Sequence, residues 1–261
     1  TILHESNAFP GKAVKMLARS TNTILVSFKD AINRIKNSNN IVFTGTPVKI
    51  KRKQYTSDEK TKIIKNAGLK SGVPIVLIFG GSQGAQKINE AILGIISNKL
   101  NKEYQLLWAT GPKQYDIIKE KLEDRNINMD YIENTKIVPY IYNMEEVMNI
   151  SDLIVSRSGA MTITEISNLS KPSILIPLPN VSGDHQTYNA KVLENEKAAI
   201  IIPDNELEAI NLNKQIEEIV FDPKRVEEMG KNAHKVSAEN VEEKIYKEIK
   251  KLLDEKREVK G

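Results

Sequence analysis

Short apolar runs alternate along the chain with longer stretches whose apolar positions recur every three or four residues. The runs are TILHES (1–6), TILVSF (23–28), NIVFTG (40–45), PIVLIFGG (74–81), YQLLWATG (104–111), MDYIEN (129–134), DLIVSR (152–157), PSILIPLP (172–179) and AAIIIP (198–203). Most are continuous rather than alternating, the pattern of strands covered on both faces. The spacing between them predicts helices near 10–20, 85–100, 113–125, 144–150, 161–169, 186–196 and 206–220. Repeated strand–helix alternation implies an α/β protein with doubly wound parallel sheets. Two features suggest domain boundaries. VKIKRKQYTSDEK (48–60) is polar and basic between apolar strands and reads as a linker. Near the end, Val241, Ile245, Ile249, Leu252 and Leu253 form one stripe of a last helix, which could pack on its own domain or cross back to another.

Composition narrows the class. With 261 residues, 40% hydrophobic and 28% charged, the chain suits one large or two medium domains. No run reaches the ~18 to 20 apolar residues of a membrane span. Cysteine is absent, which removes disulfides and thiolate metal sites and favours a reducing compartment. The net charge of +4 is spread over lysine-rich stretches without aromatic interleaving, so solvated faces are expected and nucleic acid is not an expected partner. Weak attraction to an anionic membrane surface is compatible with that charge. The first residue, Thr1, stands inside a strand-like run, so the chain reads as a piece of a longer polypeptide.

Four stretches carry candidate chemistry. In FGGSQGAQKINEAI (79–92) a strand ends in Gly80-Gly81-Ser82-Gln83-Gly84 and a helix follows. Glycines allow close backbone approach, a helix start offers unpaired N–H groups to a phosphate, and Ser82 adds a hydroxyl. No Gly-Lys-Ser/Thr follows, so it is not a P-loop, and no acidic residue ends the next strand as a dinucleotide site requires. In DLIVSRSGAMTITEIS (152–167), Ser158-Gly159 makes a second bare strand-to-helix turn. Glu165 stands one helical turn past Met161. Two readings of Glu165 stay open: a complement to the helix dipole, or a ligand for two vicinal hydroxyls of a ribose. In PLPNVSGDHQTYNA (177–190), His185 reads as a capping or loop histidine rather than a base, and the Gln186 amide could meet a sugar hydroxyl or a base edge. In HESNAFPGKAVKMLA (4–18), His4, Glu5 and Asn7 read as strand-end and capping groups that could line a cleft.

HESNAFPG, GTPVK, FGGSQGAQKIN, SRSGAMTITEI, KPSILIPLPNVSGDHQTYNA and VLENEKAA, in this order and spacing, resemble the bacterial undecaprenyl-pyrophosphoryl-muramoylpentapeptide N-acetylglucosaminyltransferases, the MurG family. The resemblance runs from Thr1 to about Ala199. It implies the GT-B fold, two Rossmann-like domains facing a cleft. It also implies inverting transfer of N-acetylglucosamine from UDP-N-acetylglucosamine to lipid I, giving lipid II for peptidoglycan, without cofactor or required metal, at the cytoplasmic face of the membrane. The expected donor contacts are Asn7, Lys49, Ser82, Ile141 (through its backbone, to uracil), the helix start Ala160, Met161, Thr162, Ile163, Thr164 and Glu165 (on the ribose), and Gln186. Lys49 stands where the family usually has arginine, which loses the planar fork. The family's histidine-bearing glycine loop is not in this sequence, so on the order of 100 residues, two-thirds of a typical domain, are expected to precede it. No catalytic base is assigned, and His4 and Glu5 are supporting groups at most. The implied division is 1–50 as the end of the acceptor domain, 51–236 as the nearly complete donor domain, and 237–261 as a helix returning to the acceptor domain. Rival expectations are a donor-binding subunit of a two-component glycosyltransferase, and another UDP-sugar enzyme of this fold, a lipid glycosyltransferase or an epimerase.

Overall fold

The computed structural model describes residues 1–36, 38, 40–81, 84–179 and 182–258. In chain order the first elements are β1 (Ile2–Glu5), α1 (Lys12–Leu17), β2 (Thr23–Val26), β3 (Ile41–Phe43), α2 (Ser57–Asn66), β4 (Ile75–Phe79), α3 (Gln86–Ser97) and β5 (Gln105–Ala109). Then come α4 (Pro112–Glu123), β6 (Thr135–Val138), α5 (Met144–Ile150), β7 (Leu153–Ser156), α6 (Ala160–Asn168), β8 (Ser173–Leu175) and α7 (His185–Asn195). The chain continues through β9 (Ala199–Ile201), α8 (Ala209–Val220), α9 (Pro223–Val236) and α10 (Val241–Glu258). All strand pairs are parallel, in a three-stranded sheet ordered β1-β2-β3 and a six-stranded sheet ordered β6-β5-β4-β7-β8-β9.

The inner strands of the larger sheet, β4, β5, β7 and β8, are buried on both faces, which explains their continuous apolar runs. On one side Val76, Ile78 and Trp108 pack with Ile88, Ile92 and Leu212 of α3 and α8. On the other, Leu77, Phe79 and Ile154 pack with Ile163, Ile166 and Leu193 of α6 and α7. The indole of Trp108 donates to Asn89 Oδ1 at 2.9 Å, so burying it leaves no unpaired donor.

Three expectations are corrected. The run 129–134 is not a strand. Asn128 Oδ1 accepts from the Asp130 amide at 2.9 Å and folds Met129–Tyr131 into a 3₁₀ turn. The strand is Thr135–Val138 instead, in register with β5. The polar stretch 48–60 is not linker throughout. A capping box closes on Thr56 and Glu59 (amide of Thr56 to Glu59 Oε2 2.8 Å, amide of Glu59 to Thr56 Oγ1 3.3 Å) and starts α2. A helix absent from the expectation, α9, starts where Asp222 caps the amides of Lys224 and Arg225 and Pro223 occupies the first turn.

The two sheets are joined through side chains as well as chain. Ala8 and Phe28, from the segments after β1 and β2, pack in the core that contains Ile163, Ile166 and Ala190. The linker between β3 and α2 is pinned to α5. Lys51 and Lys53 amides donate to Glu145 Oε1 (3.2 Å) and Asn149 Oδ1 (3.0 Å), and Asn149 Nδ2 returns to Lys51 O at 3.0 Å. After α9 the chain meets Gly45, which follows β3. A Cβ there would stand 2.4 Å from Ala238 Cβ and 3.1 Å from Val241 Cγ2, and Gly45 has a φ of 81°. Gly45→Ala is therefore expected to cost about 2 kcal/mol or more, from left-handed strain plus overlap. Urea unfolding checks this, and parental stability would contradict the packing.

Candidate functional site

Strand order locates the site. The chain starts the large sheet at β4, builds outward through β5 and β6, then returns to the other side of β4 with β7. The switch point is thus the crevice beyond the carboxyl ends of β4 and β7, where open α/β sheets bind ligands. Phe79 pairs with Ser156, so Gly80 and Arg157 leave the sheet at the same level. Gly80 and the Ser158-Gly159 turn therefore flank one crevice. Gly80 makes its turn possible by close approach, since a Cβ there would lie 2.3 Å from the Ala85 amide nitrogen.

Beyond β7, α6 begins bare. Its N-cap, Gly159, is extended and offers no side chain to the first turn. The first amide of this segment with a backbone partner is Ile163, which donates to Gly159 O at 3.0 Å. Ala160, Met161 and Thr162 thus present amides at the positive end of a helix dipole, an arrangement suited to phosphate. Met161 is exposed and Thr162 half-buried. The Ile163 side chain is wholly buried in the core, so only its backbone could meet a ligand. The Thr164 hydroxyl is turned back onto Ala160 O at 2.9 Å. Glu165 is half-buried, and burial pushes its carboxyl above the ordinary 4.5. Among the described residues it has neither an ion-pair nor a hydrogen-bond partner.

The loop entering α7 is tied to this turn. Gln186 Oε1 accepts from the amides of Ser158 (3.3 Å) and Leu178 (2.9 Å), and Ser158 Oγ donates to Gln186 O at 2.8 Å. The oxygen of the Gln186 amide is thereby engaged by the protein, while its Nε2 has no partner among the described residues. Ile141 is buried after β6, two strands from β4. Exposed Tyr140 and Tyr142 flank it, ring centroids 5.0 Å apart. Lys49 is exposed. Ser82 lies outside the described residues.

From the smaller sheet, the 6–11 loop docks onto α7. Glu5 organises that loop by accepting from the amides of Asn7 (2.8 Å) and Gly11 (2.7 Å) and from Asn7 Nδ2 (3.2 Å). His4 Nε2 donates to Gly45 O at 3.1 Å. His185 Nδ1 donates to Phe9 O at 2.8 Å, a loop-fixing role. Asn189, which the sequence reading did not single out, is fully buried at the centre. Its Oδ1 accepts from the Ala8 amide (2.8 Å), and its Nδ2 donates to Asn7 Oδ1 (3.1 Å) and Ser158 O (3.2 Å). One amide thus connects the Asn7 loop to the turn before α6. Beside it the Phe9 ring stacks on Tyr188 at 4.5 Å, with the Arg34 guanidinium 4.8 Å from the Tyr188 ring. Among the described residues no group of three or more His, Cys, Asp or Glu side chains could hold a metal.

This architecture is shared with known proteins. Residues 75–251 match the glycosyltransferase family 28 C-terminal domain. A crystal structure of Acinetobacter baumannii MurG superposes with a TM-score of 0.74 at 24% identity, covering 96% of this chain and 66% of that one. S. aureus MnaA, solved with UDP, gives 0.63 at 15% identity over 92% of this chain and 62% of that one. The fold is that of the GT-B glycosyltransferases. In sequence, the UDP-N-acetylglucosamine–N-acetylmuramyl-(pentapeptide) pyrophosphoryl-undecaprenol N-acetylglucosamine transferase of Ruminiclostridium cellulolyticum is 40% identical over 253 residues, and that of Thermoanaerobacter sp. 39% over 252. Each match covers 97% of this chain and 68% of the relative. The chain belongs to this family of N-acetylglucosamine transferases.

Asn189→Ala would leave the Ala8 amide and Ser158 carbonyl buried without their partner. A loss of about 2 to 3 kcal/mol is expected, read as a lower urea midpoint; an unchanged midpoint would contradict the bridging role.

Proposed function

We propose that this chain contributes the donor side of N-acetylglucosamine transfer from UDP-N-acetylglucosamine to lipid I, the step that yields lipid II. The observation that carries this reading is the bare amino end of α6 at the switch point, with a half-buried Glu165 that has no partner among the described residues one turn further on. In this reading the amides of Ala160, Met161 and Thr162 bind the diphosphate from one side and the 80–84 turn, with Ser82, from the other. Glu165 accepts hydrogen bonds from the ribose hydroxyls, and the backbone at Ile141 meets uracil. Asn7, Lys49 and Gln186 complete the donor contacts, with Gln186 using its free Nε2.

During transfer an acceptor hydroxyl oxygen bonds to the anomeric carbon while the bond from that carbon to the UDP oxygen breaks, inverting the configuration. UDP departs with the electron pair, and fixed amide dipoles stabilise its growing charge. The hydroxyl proton passes to a base that we assign to no residue here. We divide the chain into 1–50 on the acceptor side, 51–236 on the donor side, and 237–261 packed back against the first. The contacts of Gly45 with Ala238 and Val241 support the last assignment.

Work at a membrane surface is part of the same proposal. No helix among the described residues is long and apolar enough to cross a membrane. Met16 and Leu17 of α1 are exposed beside exposed Lys12, Lys15 and Arg19, a pairing of apolar and basic groups suited to an anionic lipid surface.

Glu165 supplies the test. Its folded pKa lies above the unfolded value, so the folded state holds the extra proton and stability falls as pH rises through that window. The penalty persists at neutral pH, and Glu165→Gln should leave stability equal or slightly higher there. Ribose hydroxyls would favour the ionised form, so UDP-N-acetylglucosamine affinity should rise with pH from 4.5 upward and then level off. The ligand's diphosphate diester stays ionised throughout this range. Calorimetry should find binding in the parent, with weaker and pH-independent binding in Glu165→Gln. No binding at millimolar ligand would refute the donor-site reading.

A further inference from the structure

Arg157 is not among the expected ligand contacts, yet it stands between the two halves of the site. It follows β7 directly, and its guanidinium forms a largely buried ion pair with Asp204, just after β9. The same Nη1 lies 3.2 Å from Ile176 O and 3.3 Å from Pro177 O, the carbonyls where β8 runs out into the 177–185 loop. One side chain thus joins the carboxyl ends of β7, β8 and β9. Its backbone neighbour, Ser158, is held from the opposite direction by Gln186, which also holds Leu178. The turn before α6 and the loop before α7 are therefore braced twice, by Arg157 from the sheet and by Gln186 from the helix.

We propose that Arg157, paired with Asp204, is a positioning residue for the sugar-diphosphate half of the donor. It fixes the carboxyl end of β8 at Ile176 and Pro177 beside the amino end of α6, next to Gln186 of α7, so that diphosphate and sugar are gripped in one geometry. The inference rests on the donor-site reading above. Arg157 follows a strand three places from β6 and Asp204 one five places from it, so the pair does not shape the region after β6 expected to meet the base. A buried charge alone does not imply function, because apolar replacement of a buried ion pair is often neutral for stability. What distinguishes Arg157 is that its hydrogen bonds end on the Ile176 and Pro177 carbonyls, at the carboxyl edge of the sheet where the donor is proposed to bind. Lysine in its place would keep the charge but lose the guanidinium whose Nη1 meets two carbonyls and a carboxylate together.

The test compares two ligands in two variants of this chain. UMP carries base, ribose and one phosphate, and UDP-N-acetylglucosamine adds the second phosphate and the sugar. In Arg157→Lys, and in the paired Arg157→Met/Asp204→Leu variant that removes both charges at once, calorimetry should show UDP-N-acetylglucosamine affinity reduced about tenfold or more, since small misplacements of a binding group are costly. UMP affinity should stay near parental. If Arg157→Lys does not fold, the paired variant decides. Parental affinity for both ligands, or an equal loss for both, would overturn the positioning role while leaving the donor site in place. If the parent itself fails to bind UDP-N-acetylglucosamine, the donor-site reading falls and takes this inference with it.

Discussion

A helix that begins on an extended glycine leaves its first amides without partners, and that cost is tolerated where something else can satisfy them. The start of α6 is such a place. The rest of the molecule follows from keeping it bare, accessible and fixed. The sheet order brings a second glycine turn alongside it, Gln186 and Ser158 hold its approach, and α6 itself is anchored by Ile163 and Ile166 in the core. A serine or aspartate at position 159 would supply the missing cap and compete with an anion for the same amides.

The second constraint is that a transferase must bring two surfaces together. In this chain the contact between the sheets is polar at its centre and aromatic at its edge. Asn189 holds the Asn7 loop and the α6 turn with one amide, while Phe9, Tyr188 and Arg34 stack beside it. The linker is fastened to α5, the helix that directly follows the Ile141 loop. The contacts between the two sheets therefore lie next to the turn before α6 and the segment before α5. Burial makes the charge of Glu165 unfavourable in the fold, so its carboxylate adds nothing to stability by itself.

Much of this was legible in the sequence because parallel strands buried on both faces write continuous apolar runs. β6 was misplaced for the opposite reason. It is an edge strand whose residues are only partly buried, with Lys136 exposed, so it carries no such run. The lysine- and glutamate-rich faces of α2 and α9 masked helices whose start signals, Thr56 to Glu59 and Asp222-Pro223, are nevertheless present. At the site, glycine turns and the placement of Glu165 could be read locally. Asn189 could not, because its role depends on Ala8, 181 positions earlier in the chain. The partial commitment of Gln186 to the protein likewise comes only from its contacts with Ser158 and Leu178.

The central claim is that a diphosphate rests on the amino end of α6, and amide NMR of the isotopically labelled chain during a UDP titration addresses it directly. The account predicts that the largest shift changes fall on the amides of Gly159 to Thr162, with smaller changes near Ile141. Unmoved amides at 159–162, with the largest changes clustered elsewhere on the molecule, would contradict it.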